Sequence, residues 1–148
     1  FLFSCLTGLR KSDIQKLTWG EVQKFGKYTR IVFKQRKTKG QEYLDISSQA
    51  EKYLGERGNP DDIVFTGFTY GSWTSLELQR WSLAAGVNKN LTFHCARHTF
   101  AVLMLDLGAD IYTVSKLLGH RFLTTTQIYA KVLDKNKQNA VSLIPDIG

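Results

Sequence analysis

Cysteine is scarce in this chain. Only Cys5 and Cys95 occur, far apart and in no CxxC pattern, so no disulfide framework of a secreted domain is written into it, and a reducing interior fits better. Long apolar runs are missing too, so nothing reaches the length of a membrane span. The opening Phe1-Leu2-Phe3-Ser4-Cys5-Leu6 lacks the basic flank and cleavage signal of a secretory peptide. It also lacks an initiator Met, and a start inside an apolar, helix-like run is the expected mark of a piece cut from a longer protein. Acidic residues are the other shortage: 13 Asp and Glu stand against 20 Lys and Arg, a formal charge of +7. That balance favours a polyanionic partner over an acidic protein. No carboxylates cluster as a magnesium site would need. There is no internal repeat, low-complexity tract or linker. With 148 residues, 43% hydrophobic, the chain has enough for one core, so a single domain over 1–148 is expected.

What is present divides into short elements. Gly8 stops a first apolar segment, and Ser12 with Gln15 makes a capping-box pattern for a short helix through Leu17. Arg10 thereby falls in a helix-to-helix turn, free of helical constraint. Tyr28 to Phe33 is β-branched and aromatic, Lys34 to Gly40 is very basic, and Glu42 to Ile46 alternates. This predicts a hairpin with a basic tip. Ser48 with Glu51 predicts a helix to about Arg57, closed by Gly58-Asn59-Pro60, and Ile63-Val64-Phe65 reads as a short extended segment. Trp73 to Ala85, with Gly86 after it, reads as a packing helix. Thr92 is expected to cap a central helix that Gly108 ends, and Asp110 to cap another that Gly119 ends, leaving His120 just past its end. The threonine run 124–126 is expected to cap a last helix carrying Ile128, Tyr129 and Val132.

The chemistry concentrates between Thr92 and Tyr129. His94 and Arg97, three apart, share one helical face, and Phe93, Ala96, Phe100, Leu103, Met104 and Leu107 form the expected apolar stripe opposite, so the polar face should look into a cleft. Arg10, His94, Arg97 and His120 all fall at or near a helix start or turn. If the fold gathers them, the natural guest is a phosphodiester, because two guanidiniums offer donor forks to its non-bridging oxygens. Without a carboxylate set for magnesium, arginines would have to stabilise the charge on phosphorus. A tyrosine attacking there must lose a proton from a phenol whose free pKa is about 10, and nearby cations favour the phenolate. A phosphotyrosine link conserves the broken bond's energy, so resealing needs no nucleotide. Lys37 or Lys39 on the basic tip would protonate the leaving oxygen.

Taken in order, Thr7-Gly8-Leu9-Arg10-Lys11-Ser12-Asp13, Lys37-Thr38, His94-Cys95-Ala96-Arg97-His98, Leu118-Gly119-His120 and Thr125-Thr126-Gln127-Ile128-Tyr129-Ala130 resemble the catalytic domain of the tyrosine recombinases, the phage-integrase family. The wording around Tyr129 is most like integrases of mobile elements. The resemblance covers nearly the whole chain and implies that family's fold, mainly α with a small antiparallel hairpin or three-stranded sheet (α+β). It implies that Arg10 and Arg97 bind the scissile phosphate, with His94 and His120 beside them as hydrogen-bonding and proton-handling partners. Lys37 would protonate the departing 5′ oxygen, with Lys39 its rival, and Tyr129 would attack to leave a 3′-phosphotyrosine. Arg36 and Lys39 would add phosphate contacts, and Asp13 would serve as structural support behind the first arginine. The activity implied is site-specific DNA cleavage and rejoining without metal, ATP or other cofactor, on double-stranded DNA in the bacterial cytoplasm and nucleoid. The partners would be other copies of the same protein in a tetrameric synapse. Family members carry an upstream DNA-clamping domain that this sequence lacks.

Each residue alone has a plainer reading. Tyr129 would be a half-buried packing residue, His94 a surface or capping histidine, the arginines solvated or paired, and the lysine-rich tip an exposed turn. Their ordered co-occurrence favours catalysis. The rivals are a non-catalytic basic DNA-binding module and a type IB topoisomerase-like activity. A zinc site on His94 and His98, four apart, ranks lower, because Cys95 rather than Glu lies between them and Arg97 adds fixed positive charge. His98 is expected to steady the Arg97 helix. The tail after Asp134, ending in Ala140, Val141, Leu143 and Ile144, is expected to dock on a neighbouring copy.

Overall fold

The structure is a computed structural model that describes residues 1–34, 41–129 and 141–145. Two compact units divide it, Phe1–Arg97 and His98–Gly148. Among the described residues no helix is long and apolar enough to cross a membrane.

The first unit opens with α1 (Leu2–Thr7), closed by Gly8 at φ 70°, ψ 5°. This left-handed geometry costs an L side chain about 1–2 kcal/mol, which is why glycine ends the helix. After α2 (Lys11–Ile14) and a 3-10 turn at Trp19–Glu21 come three strands, β1 (Val22–Phe25), β2 (Tyr28–Lys34) and β3 (Gln41–Ile46), in an antiparallel sheet ordered β1-β2-β3. The expected hairpin is therefore present, with β1 added on its open side. Register sets Val22 opposite Ile31 and Ile31 opposite Leu44. All three are buried, so alternation places one apolar rank against the core. Full burial of a side chain such as Ile31 is worth about 1.5–3 kcal/mol. On the outer face the Arg30 guanidinium lies 3.8 Å from the Phe25 ring centre and 3.9 Å from that of Tyr43, and pairs with Asp45 through two hydrogen bonds of 2.6 and 2.8 Å.

Several boundaries differ from those expected, each for a local reason. α2 begins one residue before Ser12, with Arg10 as its N-cap residue, and ends at Ile14 rather than Leu17. α3 (Ser48–Glu51) is capped by Ser47, whose hydroxyl accepts from the Ala50 amide at 3.2 Å, and it stops well before Arg57. The Arg57 side chain instead donates to the carbonyls of Val22 and Trp19. Residues 59–64 run beside 17–20 through a bridge at Thr18–Ile63 and a Val64 amide bond to Leu17. α4 (Ser72–Ala84) forms where expected, with Leu78 half-buried and the Trp81 ring edge-on to Phe1 at 6.0 Å. Its buried residue is Ser82, whereas Trp73, Leu76, Trp81 and Leu83 are exposed.

α5 (His94–Asp106) starts two residues after Thr92, whose hydroxyl sits 3.4 Å from Cys95 Sγ. Its buried positions are Ala96, Arg97, Phe100, Ala101 and Leu105, continuing the spacing set by Phe93 just before it. Leu103 and Leu107 are exposed, Leu103 at the edge of that stripe and Leu107 past the last residue of the helix. Arg97, four residues after Phe93, lies in the buried stripe rather than opposite to it.

In the second unit Asp110 caps α6 (Ile111–Leu117), accepting from the Thr113 amide at 2.9 Å. Gly108 and Gly119 have positive φ after their helices, as expected. Phe100, Ala101, Leu105, Val114, Leu118 and Tyr129 make the unit's core. The threonine run does not start an α-helix within the described residues: 3-10 turns occupy Leu123–Thr125 and 127–129. Most of the tail after Asp134 lies outside the described residues, and Val141, Leu143 and Ile144 are exposed.

Candidate active site

In the first unit the segment Thr7-Gly8-Leu9-Arg10 is fixed by its backbone. Buried Ser4 donates its hydroxyl to the Leu9 carbonyl at 2.8 Å, and buried Thr7 donates to the Phe3 carbonyl at 2.8 Å. Arg97, only 7% exposed, donates from Nη1 to the Gly8 carbonyl at 2.6 Å. A buried guanidinium needs such partners, since an unpaired charge away from water is very costly. The turn thereby aims Arg10 from the N-cap position of α2 into solvent-accessible space.

Arg10, His94 and Arg97 all line one cavity of about 350 Å³ in this unit. Expectations for these three residues meet here: the structure brings them together, with His94 exposed at the first position of α5 and Arg97 buried one turn along. The same cavity includes two residues that the sequence reading passed over, Lys11 and Tyr70. The Lys11 ammonium stands 4.4 Å from the Tyr70 ring centre, a cation–π distance. Tyr70 is fixed in turn by Ser75, whose hydroxyl donates to its oxygen at 2.9 Å. Lysine directly after an arginine was visible in the sequence; its aromatic seat lies some sixty positions away and carried no local signal. Asp13 is exposed in the first turn of α2, its carboxylate 3.5 Å from the Ser12 hydroxyl, and does not line the cavity.

Three cations, two of them guanidiniums that stay protonated at any working pH, suit the cavity to a phosphate-type anion. No three metal-ligating side chains gather among the described residues.

In the second unit His120 follows α6, and its Nδ1 hydrogen-bonds the hydroxyl of fully buried Thr126 at 2.9 Å. The Tyr129 amide donates to the Thr126 carbonyl at 3.0 Å. The Tyr129 ring is buried, 9% exposed, and its hydroxyl lies 2.5 Å from Nδ1 of His98. His98 therefore holds the tyrosine, a contact that its expected role of steadying the Arg97 helix did not include. The HxxxH spacing drew attention to zinc instead of to the phenol. Arg36, Lys37 and Lys39 lie outside the described residues.

Known proteins resemble this chain over most of its length. The chain is 33% identical over 140 residues to tyrosine recombinase XerD of Oceanobacillus iheyensis, covering 85% of this chain and 46% of that protein. It is 34% identical over 134 residues to tyrosine recombinase XerC of Actinobacillus pleuropneumoniae, covering 83% and 43%. The chain thus spans about half the length of the curated relatives it matches. In fold it is similar to XerA recombinase, with a TM-score of 0.72 at 24% identity, covering 92% of this chain and 53% of that one. Residues 1–136 match the model of the phage integrase family, and the chain belongs to that family.

Proposed function

We propose that this chain is the catalytic part of a site-specific DNA recombinase, cutting and rejoining strands through a 3′-phosphotyrosine. The observation that carries the reading is the single cavity lined by Arg10, His94 and Arg97, in a chain of this family. Arg10 and Arg97 hold the non-bridging oxygens of the scissile phosphate and, with His94 and His120, stabilise the charge that builds on phosphorus. Tyr129 Oη forms the new bond to phosphorus as the bond to the 5′ oxygen breaks. Lys37, with Lys39 as rival, supplies a proton to that oxygen, and Arg36 and Lys39 add phosphate contacts. The reaction exchanges one phosphodiester for another, so it needs neither nucleotide nor metal. The partners are double-stranded DNA and further copies of the protein in a tetrameric synapse, in the cytoplasm and on the nucleoid. The chain is one catalytic domain that works with an upstream DNA-binding domain.

The test uses a pool of nicked duplexes with randomised sequence around the nick, in the presence of chelator. The expected result is a protein–DNA adduct that survives denaturing detergent, while Tyr129→Phe binds DNA and forms none. Binding without adduct by the wild type, or an adduct with Tyr129→Phe, overturns the reading.

A further inference from the structure

The phenolic proton of Tyr129 needs an acceptor during the proposed attack. Three features of the second unit restrain this residue. Its ring sits in the core with Phe100, Leu105, Val114 and Leu118. Its amide donates to the Thr126 carbonyl, and its hydroxyl meets His98 Nδ1 at 2.5 Å, the two rings crossing edge-on with centres 5.6 Å apart. Burial fixes the ring but leaves the torsion of the O–H open; the imidazole closes it. With the imidazole proton on Nε2, Nδ1 accepts from the phenol; with it on Nδ1, the imidazole donates to Oη instead. In the Nε2–H tautomer the hydroxyl hydrogen points at a base.

We propose that His98 holds Tyr129 Oη before the reaction and takes its proton during it, an inference that rests on Tyr129 being the nucleophile. A free phenol near pKa 10 and a free imidazole near 6.5 do not exchange a proton spontaneously, so the transfer completes as the oxygen bonds to phosphorus. In the forward step the Oη–P bond forms, the P–O5′ bond breaks, and the phenolic proton moves to Nδ1, giving an imidazolium. The 5′ oxygen receives its proton from the separate lysine. In rejoining, the imidazolium returns the proton to the departing phenolate, as microscopic reversibility requires. His98 is half-buried, so truncating it opens a gap that a small molecule can enter from solvent.

That gap supplies the test. Single-turnover adduct formation on the nicked-duplex pool is measured for the wild type, His98→Ala and His98→Asn, alongside DNA binding and far-ultraviolet circular dichroism. His98→Ala is expected to slow adduct formation by about 10²-fold, the usual scale for losing a positioned base. Added imidazole should restore much of the rate, and pyrrole, equal in size but without an acceptor nitrogen, should not. His98→Asn keeps an acceptor near the Nδ1 position but no proton sink, so it too should be slow while folded and binding DNA. An unchanged rate in either variant, or equal response to imidazole and pyrrole, overturns the role of His98 alone. A wild type that forms no adduct overturns the proposed function itself.

Discussion

The turn that presents Arg10 and the segment that carries Tyr129 are both short and irregular, yet they are secured in opposite ways. At the turn it is the main chain that is tied: Ser4 and Arg97 bond to the carbonyls of Leu9 and Gly8, and the Arg10 side chain is left exposed. At the tyrosine the side chain itself is tied, its ring in the core and its hydroxyl on His98. An anion cradle gains from donors that stand ready, since preorganised charge needs no rearrangement when substrate arrives. The proposed nucleophile is different, because an exposed phenol on a wandering segment would rarely face phosphorus in line.

The largest effect should separate the two guanidiniums. Arg97→Ala removes both a proposed phosphate ligand and the support of the Gly8 carbonyl, so it should abolish adduct formation and lower stability by about 2 kcal/mol, the scale for a hydrogen bond from a charged donor. Arg10→Ala should abolish the adduct equally while shifting stability by less than about 0.5 kcal/mol, as exposed substitutions do. Equal losses of stability in urea titrations would erase the distinction drawn between tied backbone and free side chain. A smaller effect is expected from Lys11→Ala. Removing one phosphate-facing cation should reduce the slope of log affinity against log salt by about 0.9, and Tyr70→Leu should reproduce part of that loss by unseating the ammonium. An unchanged slope would place Lys11 outside the cradle.

The smallest effect concerns α6, which carries Val114 and leads into Leu118, both in the core with Tyr129. The Asp110 carboxyl is held below its usual range, first by the Thr113 hydroxyl and then by the Thr113 amide. A carboxyl depressed on folding stabilises the fold above its unfolded value of about 3.9 and loses that contribution as pH falls through the lower folded value. Asp110→Ala should therefore melt below the wild type at neutral pH, with the gap narrowing in acid. A gap that is constant from neutral pH to pH ~3 would mean the cap does not act through its charge.

Much of this was legible in the residues because it is local. Gly8, Gly108 and Gly119 mark helix ends by backbone geometry, Asp110 is a cap by its side-chain reach, and the strand pair 28–34 and 41–46 follows from alternation. Arg10, His94 and Arg97 were named from their order and do line one cavity. What escaped was set by distant partners. Arg97 was assigned to a polar face, yet its position four after Phe93 puts it on the buried stripe, where the carbonyl of Gly8, far up the chain, accepts from it. His98 drew a reading from the residues beside it, whereas its partner is Tyr129. In α4, read as a packing helix for its apolar residues, the buried position is Ser82, with Leu78 half-buried.

That last arrangement bears on how these variants can be monitored. Trp73 and Trp81 are 68% and 48% exposed, while Trp19 is 6% exposed under the Arg57 guanidinium. Two of three indoles already sit in water in the native state, so the emission spectrum should be red-shifted before any denaturant is added and should change little on melting. Only the Trp19 contribution reports loss of the first unit's interior, and the second unit holds no tryptophan at all. Fluorescence would leave the surroundings of Tyr129 dark, whereas a single tryptophan installed at Phe122, which is exposed beside that segment, would light them.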